Sequence, residues 1–150
     1  MTDRELDAMR LHSRAEFETW LANDLEVRDE LATLVGTDPG ITVESLDELE
    51  EFLLRRYDSP GQALTLNERS VLDAAARQLG LVIILGIDDT AWDIDLTDPD
   101  DAYYRLPIVV IDDGPVECPL SLVTAALDRR TGDYLRKVVQ NLADAYSSPG

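Results

Sequence analysis

The chain has 150 residues, which is the size of one typical domain, and its hydrophobic content of 45% excludes an intrinsically disordered chain. Its 31 acidic and 13 basic residues give a net charge of −18, which excludes the clustered cations that bind nucleic acid or anionic membranes. A single cysteine and a single histidine exclude an internal disulfide, an imidazole metal site and most familiar catalytic centres.

The N-terminal third of the chain predicts a first helical unit. The segment Ser13-Arg14-Ala15-Glu16 has the form of a capping box, which begins a helix. Apolar residues follow at helical spacing up to residue 35, so we expect either one long helix or two helices joined near Asn23-Asp24, ending at Gly36. The predicted apolar positions are Phe17, Trp20, Leu21, Val27, Leu31, Leu34 and Val35. Residues 1–12 are expected to fray.

A second capping box, Ser45-Leu46-Asp47-Glu48, predicts another helix, which ends before Pro60-Gly61. Its apolar face includes Leu46, Leu49, Phe52, Leu53 and Tyr57. Its other face carries Glu48, Glu50, Glu51, Arg55 and Arg56 and is expected to be solvated.

A third, well-buried helix is predicted after Asn67, which we expect to be its cap. Its apolar period continues past Gly80, so we favour a helix through Leu85. The alternative is that Gly80 ends the helix and releases residues 81–85 as a buried strand.

Beyond Gly86 the hydrophobic period changes to two, which is typical of strands. We predict strands over 91–96 and 106–111, and a third over 116–118 after the turn Asp112-Asp113-Gly114. Pro119 then suits the first turn of a helix, and Thr131 is expected to cap a last one. The predicted fold is a single α+β domain with N-terminal helices, a small antiparallel meander of about three strands and two C-terminal helices packed on one face. Residues 147–150 are expected to fray.

The acidic residues are concentrated in the predicted strand region. Residues 86–117 hold ten acids and one base, Arg105, whereas residues 118–150 hold three acids and four bases. We therefore predict a partner-binding surface there, flanked by two tyrosines that combine an apolar ring with a polar tip. Its predicted residues are Asp88, Asp89, Asp93, Asp95, Asp98, Asp100, Asp101, Tyr103, Tyr104, Asp112, Asp113 and Glu117.

Other interpretations of the same acids stay open at this point. A calcium loop that starts at Asp93 would place Asp98 at its glycine position and Tyr104 at its glutamate position, so its pattern is poor. A small metal-binding or hydrolytic protein could use the carboxylates of Asp88 to Asp101 as acid and base. A regulatory or structural subunit could carry the acids for solubility alone.

No catalytic, cofactor-binding or metal-ligating residue is predicted, because no nucleotide loop, nucleophile elbow or metal-ligand spacing occurs. We expect Cys118 to be a buried, inert thiol and His12 to be a surface or packing residue. We also expect Trp20 and Trp92 to anchor the core.

Within residues 70–130 the order of elements is similar to that of small uncharacterised acidic bacterial α+β proteins, some of them of the toxin-immunity type. The features that carry this resemblance are the helix Ala74 to Leu81, the strand at Trp92, the acidic loop, the strand at Leu106-Pro107, the turn at Asp113-Gly114 and Cys118-Pro119 before a helix. Such proteins have no shared catalytic motif, so the resemblance implies a non-enzymatic binder.

Together these observations predict an acidic protein-binding module that covers a basic site on a partner protein, as an immunity or inhibitor protein does. Neither nucleic acid nor a membrane is expected as a partner. The first residues lack a basic region followed by an apolar run, so we expect a cytoplasmic protein without a secretory signal.

Overall fold

The computed structural model describes residues 3–112 and 114–146. Their elements are a 3-10 helix (Asp3–Met9), α1 (Arg14–Ala22), α2 (Asp24–Val35), α3 (Leu46–Arg56), α4 (Pro60–Ala63), α5 (Arg69–Gly86), β1 (Thr90–Asp93), β2 (Ile108–Ile111), β3 (Val116–Glu117), α6 (Pro119–Arg129) and α7 (Tyr134–Tyr146). The strands form one antiparallel sheet in the order β1-β2-β3. The predicted α+β fold, with its meander and two C-terminal helices, is confirmed.

The first helical unit is two helices joined at Asn23, as one of the two alternatives predicted. Ser13 caps α1 by accepting the Glu16 N–H at 3.1 Å, and the Glu16 carboxylate in turn accepts the N–H of His12. Gly36 ends α2 in the left-handed conformation, with φ of 94°. Residues 3–9, which were expected to fray, form the 3-10 helix. The predicted fraying of 147–150 lies outside the described residues.

The central helix α5 packs against α2, α6 and the first two strands. It continues through Gly80 to Gly86, which confirms the favoured alternative over a strand at residues 81–85. Gly80 has a packing role there, because a Cβ atom at this position would lie 2.2 Å from Cζ2 of Trp92 on β1. The missing side chain thus lets the sheet approach the helix closely, which offsets the intrinsic cost of glycine inside a helix.

Most of the core lies between α5 and the helices and strands that surround it, and a smaller cluster joins α1 to the sheet. That cluster contains Phe17, Trp20 and Ile94, and the ring of Trp20 meets the ring of Trp92 edge-on at 4.8 Å. Trp20 is buried and Trp92 is partly buried, so both tryptophans pack as anchors of the sheet against α1 and α5.

Several helix boundaries differ from the sequence prediction because other groups satisfy the helix ends. The helix α5 begins at Arg69 after a turn, so Asn67 is not its cap. The Ser45 hydroxyl donates to the Thr42 carbonyl at 2.6 Å and caps no N–H of α3. Thr131 does not cap α7 at its first turn, where the carboxylate of Glu50 binds the backbone instead.

The predicted solvated face of α3 is wrong for Glu50, which is fully buried. Its carboxylate accepts the N–H groups of Tyr134 at 3.2 Å and Leu135 at 2.8 Å, at the beginning of α7. A negative charge is favourable at a helix N-terminus, where N–H groups have no partner within the helix. Arg136 on α7 also pairs with Asp47 on α3 at 2.9 Å, so these contacts fix the two helices to each other.

The strands are shorter than predicted at their outer ends. Residues 94–96 leave the ladder after Asp93, and β2 begins only at Ile108 because Pro107 has no N–H to donate. Pro119 stands at the first turn of α6, as predicted.

Candidate functional site

The ladder register divides the predicted acidic surface between the two ends of the sheet. Thr90 pairs with Ile111 at one end, and Asp93 pairs with Ile108 at the other. Three steps along a strand separate these pairs by about 10 Å. Most of the predicted acids therefore form two separate groups instead of one face.

One group, the turn-end acids, consists of Asp88, Asp89 and Asp112. All three are exposed, and the N–H of Asp112 donates to the Asp89 carbonyl at 2.9 Å, which brings the two turns together. Asp89 and Asp112 both have positive φ, at 59° and 46°, a conformation that aspartate tolerates better than most residues. Asp113, the remaining predicted member of this group, lies outside the described residues.

The second group is the acidic loop, residues 95–101, which follows β1. Asp95 shapes it by accepting the N–H groups of Thr97 at 2.9 Å and Asp98 at 3.2 Å. The N–H of Thr97, the N–H of Asp98 and the Thr97 hydroxyl lower the pKa of the Asp95 carboxyl, so this group stays charged at neutral pH. Two further turns have the same hydrogen bond between an aspartate carboxylate and a backbone N–H. Asp98 accepts the N–H of Asp100 at 3.0 Å, and Asp101 accepts the N–H of Tyr103 at 2.8 Å.

The loop presents three carboxylates to solvent, those of Asp98, Asp100 and Asp101. Within residues 3–112 and 114–146, none of the three forms an ion pair. Arg105, the one base of the region, lies along the ring of Tyr104 at 4.9 Å and reaches His12 at 3.3 Å. The negative charge of the acidic loop is therefore not neutralised by the region's own base.

Asp93 stands apart from both groups. Its carboxylate is 3.7 Å from the guanidinium of Arg14 on α1, and it also accepts the N–H of Ile94 at 2.8 Å. Its side chain is 53% exposed. Asp93 thus points away from the core, as the alternation predicts, but its carboxylate is paired with Arg14 of α1.

Tyr103 and Glu117 lie near Cys118, just before the beginning of α6. The ring of Tyr103 packs against the main core, and burial raises the pKa of its hydroxyl. Glu117 on β3 is partly buried, and this burial raises the pKa of its carboxyl. These two residues share their environment with Cys118 and so contribute to packing at least as much as to the surface.

Several of the aspartate carboxylates serve to shape the loop, because they accept its backbone N–H groups. Among the described residues, no group of three or more histidine, cysteine, aspartate or glutamate side chains is arranged to hold a metal ion. At positions 1 and 3 of the calcium loop considered above, Asp93 and Asp95 accept backbone N–H groups. Cys118 is buried, its thiol contacts the Pro107 carbonyl at 3.7 Å, and burial raises its pKa to about 11.

Sequence reasoning missed a second surface, on the outer side of α2. Leu25 is 64% exposed, and Leu21 and Leu34, which were predicted to be apolar contacts, are 37% and 48% exposed. Only Leu31 of α2 is fully buried. This surface could have been predicted from Leu25, which lies outside the apolar stripe of α2.

No family model, curated protein or solved structure matches the chain. The similarity to toxin-immunity proteins stays a prediction from the sequence. Within residues 3–112 and 114–146, no helix combines the length and the apolar character that a membrane crossing requires.

Proposed function

We propose that this protein is a non-enzymatic, acidic binding module that docks onto a basic site of a partner protein through the acidic loop. The single observation that carries the proposal is that the carboxylates of Asp98, Asp100 and Asp101 are exposed and form no ion pair with any described residue. Their turns are fixed by hydrogen bonds that backbone N–H groups donate to aspartate carboxylates, so the negative potential has a defined position before a partner arrives.

Physical chemistry favours a protein partner over the other classes. A fixed negative potential speeds the encounter with a basic surface and disfavours acidic partners. DNA, RNA and anionic lipid all carry the same sign of charge as the loop. An immunity or inhibitor protein that covers a basic active site in the cytoplasm is the type of function that fits this chemistry.

The test removes charge without changing shape. In the triple variant D98N/D100N/D101N the asparagines at positions 98 and 101 keep the oxygens that accept the loop's N–H groups, so the turns should persist. The matched control is E44Q/E48Q/E51Q, which removes the same charge from exposed positions around α3. Glu50 is unsuitable as a control because it is buried.

The wild-type protein and both variants are immobilised and exposed to a lysate of the native host, and retained proteins are identified by mass spectrometry. We expect the wild type and the control to retain a basic protein. Once that protein is purified, its association with the loop variant should be slower than with the wild type by about tenfold at low salt. The difference in association rate between the loop variant and the wild type should narrow as the salt concentration rises. Equal losses for the two triple variants would contradict the assignment of the loop.

A further inference from the structure

The outer side of α1 and α2 forms one continuous face. Asn23, the only residue between the helices, has φ of −89° and ψ of 3°, and the hydrogen bonds from Asn23 to Thr19 and from Val27 to Asn23 continue the helical pattern across the junction. The residues that line the resulting open depression, of about 560 Å³, follow each other at helical spacing. They are Ala22, Leu25, Glu26, Asp29, Glu30 and Thr33.

This face, here called the α2 groove, has an apolar edge. Leu25 is 64% exposed within it, and Leu21, one turn earlier, is 37% exposed. The buried side of α2 packs its Leu31 into the core against α5, so these exposed leucines are not needed to hold the helix in place. Exposed apolar side chains beside polar ones are typical of a protein interaction surface.

The charged residues that line the α2 groove, here called its rim, are all acidic. Glu26, Asp29 and Glu30 are exposed, and none of them forms an ion pair with the described residues. Arg28, the single base of α2, pairs with Asp24 at 2.8 Å and does not line the groove. In a helix with 3.6 residues per turn the three carboxylates lie on the same side of Leu25, so a partner that covers the leucine must bring positive charge to that side of it.

We propose that the α2 groove binds a basic amphipathic helix of a partner protein, with apolar side chains on Leu25 and lysine or arginine side chains on the three rim carboxylates. Helices commonly dock in this way, with apolar anchors one turn apart. A second copy of this chain fits less well, because antiparallel α2 helices would bring like charges together. The inference rests on the proposed function and adds the shape of the partner.

The probe is a synthetic, fluorescein-labelled peptide of leucine and lysine at helical spacing, about 18 residues long and hence five turns. A peptide of the same charge without leucine serves as the reference. Binding is measured by fluorescence anisotropy to the wild-type protein and to the variants L25A and E26Q/D29N/E30Q. The matched controls are L66A, at a leucine that is 77% exposed outside the groove, and E44Q/E48Q/E51Q.

We expect the leucine–lysine peptide to bind more tightly than its reference, and both groove variants to weaken it by at least about fivefold. The two controls and the loop variant D98N/D100N/D101N should leave its Kd unchanged. If L25A matches L66A, or if the leucine-free peptide binds equally well, the groove proposal fails. If sedimentation shows a dimer that L25A abolishes, the occupant is a second copy and the proposal is wrong.

The two proposals fail in distinguishable ways. Loss of peptide binding in the loop variant, with none in the groove variants, would overturn the groove and leave docking through the acidic loop in place. The groove proposal would also be overturned, and loop docking would stand, if the groove variants retained a basic host protein that the loop variant lost.

Discussion

The buried carboxylate of Glu50 allows the sharpest test of how the helices are held together. In Glu50→Ala the N–H groups of Tyr134 and Leu135 lose their acceptor, and Leu135 is itself fully buried. The helix α7 has no acidic residue in its own first turn that could replace it. The variant therefore leaves a helix N-terminus without a partner in the interior of the protein.

The magnitude follows from the two bonds. A hydrogen bond to a charged group contributes about 1.5–3 kcal/mol, so two such bonds contribute about 3–6 kcal/mol. Removing the carboxylate also removes the cost of burying its charge, which offsets part of that sum. We expect a net loss of about 3 kcal/mol in the free energy of unfolding, or about 6–12 °C in the melting temperature for a chain of this size.

The assay is urea denaturation followed by circular dichroism, with Glu50→Gln as a second variant that keeps the shape. The amide oxygen of Gln can accept one N–H, but its NH₂ group faces the other N–H, so about half of the loss should remain. E48Q and E51Q, at exposed positions of the same helix, should each change stability by less than about 0.5 kcal/mol. A Glu50→Gln variant as stable as these controls would refute the capping role.

Three further predictions test the packing and the titrating groups. Gly80→Ala should destabilise the protein by about 2 kcal/mol, because the new methyl group meets the ring of Trp92. In thermal unfolding, the same change made in a W92L background should cost less stability than it does in the wild type. Cys118 should react with a thiol reagent at pH 8 about 100-fold more slowly in the folded protein than in urea, since burial raises its pKa to about 11; equal rates would contradict its burial. Glu117 has a raised pKa in the folded state, so its ionisation lowers the stability of the protein as pH rises above 4.5. In urea titrations Glu117→Gln should therefore be more stable than the wild type at pH 7 but not at pH 3.5. A gain in stability at both pH values would assign the effect to packing instead of charge.

The order of elements could be predicted from the sequence because its signals are local. Ser13 and Gly36 bound the first helical unit through their own backbone preferences, and the change of period after Gly86 marks the sheet. The continuation of α5 through Gly80 followed from the uninterrupted apolar phase. The reason for a glycine there, the ring of Trp92, is a contact between distant residues.

What the sequence left out depends on tertiary contacts. The helical period of α3 places Glu50 on a polar face, and only the position of α7 makes that face an interior one. Likewise the period of α1 and α2 includes Leu21 and Leu34 in the apolar stripe, whereas the packing of these helices leaves both side chains exposed.

The acidic region was predicted as one surface because its residues are close in sequence. An antiparallel ladder separates the two ends of a strand, so Asp89 and Asp98 belong to different groups although nine positions apart. The turn-forming role of Asp95 and Asp98 is a local property of aspartate. It accounts for part of the aspartate content of this region, and only the exposed carboxylates remain for docking.

The most direct test of the central claim is the association rate of a basic host protein, retained by the wild type, with D98N/D100N/D101N and with E44Q/E48Q/E51Q. Stopped-flow measurements over a range of salt concentrations give the rate and its salt dependence for both variants. Docking through the acidic loop predicts a slower rate and a flatter salt dependence for the loop variant, with wild-type values for the control. Equal rates for the two variants would show that the charge of the whole protein acts, and would contradict a docking site at the acidic loop.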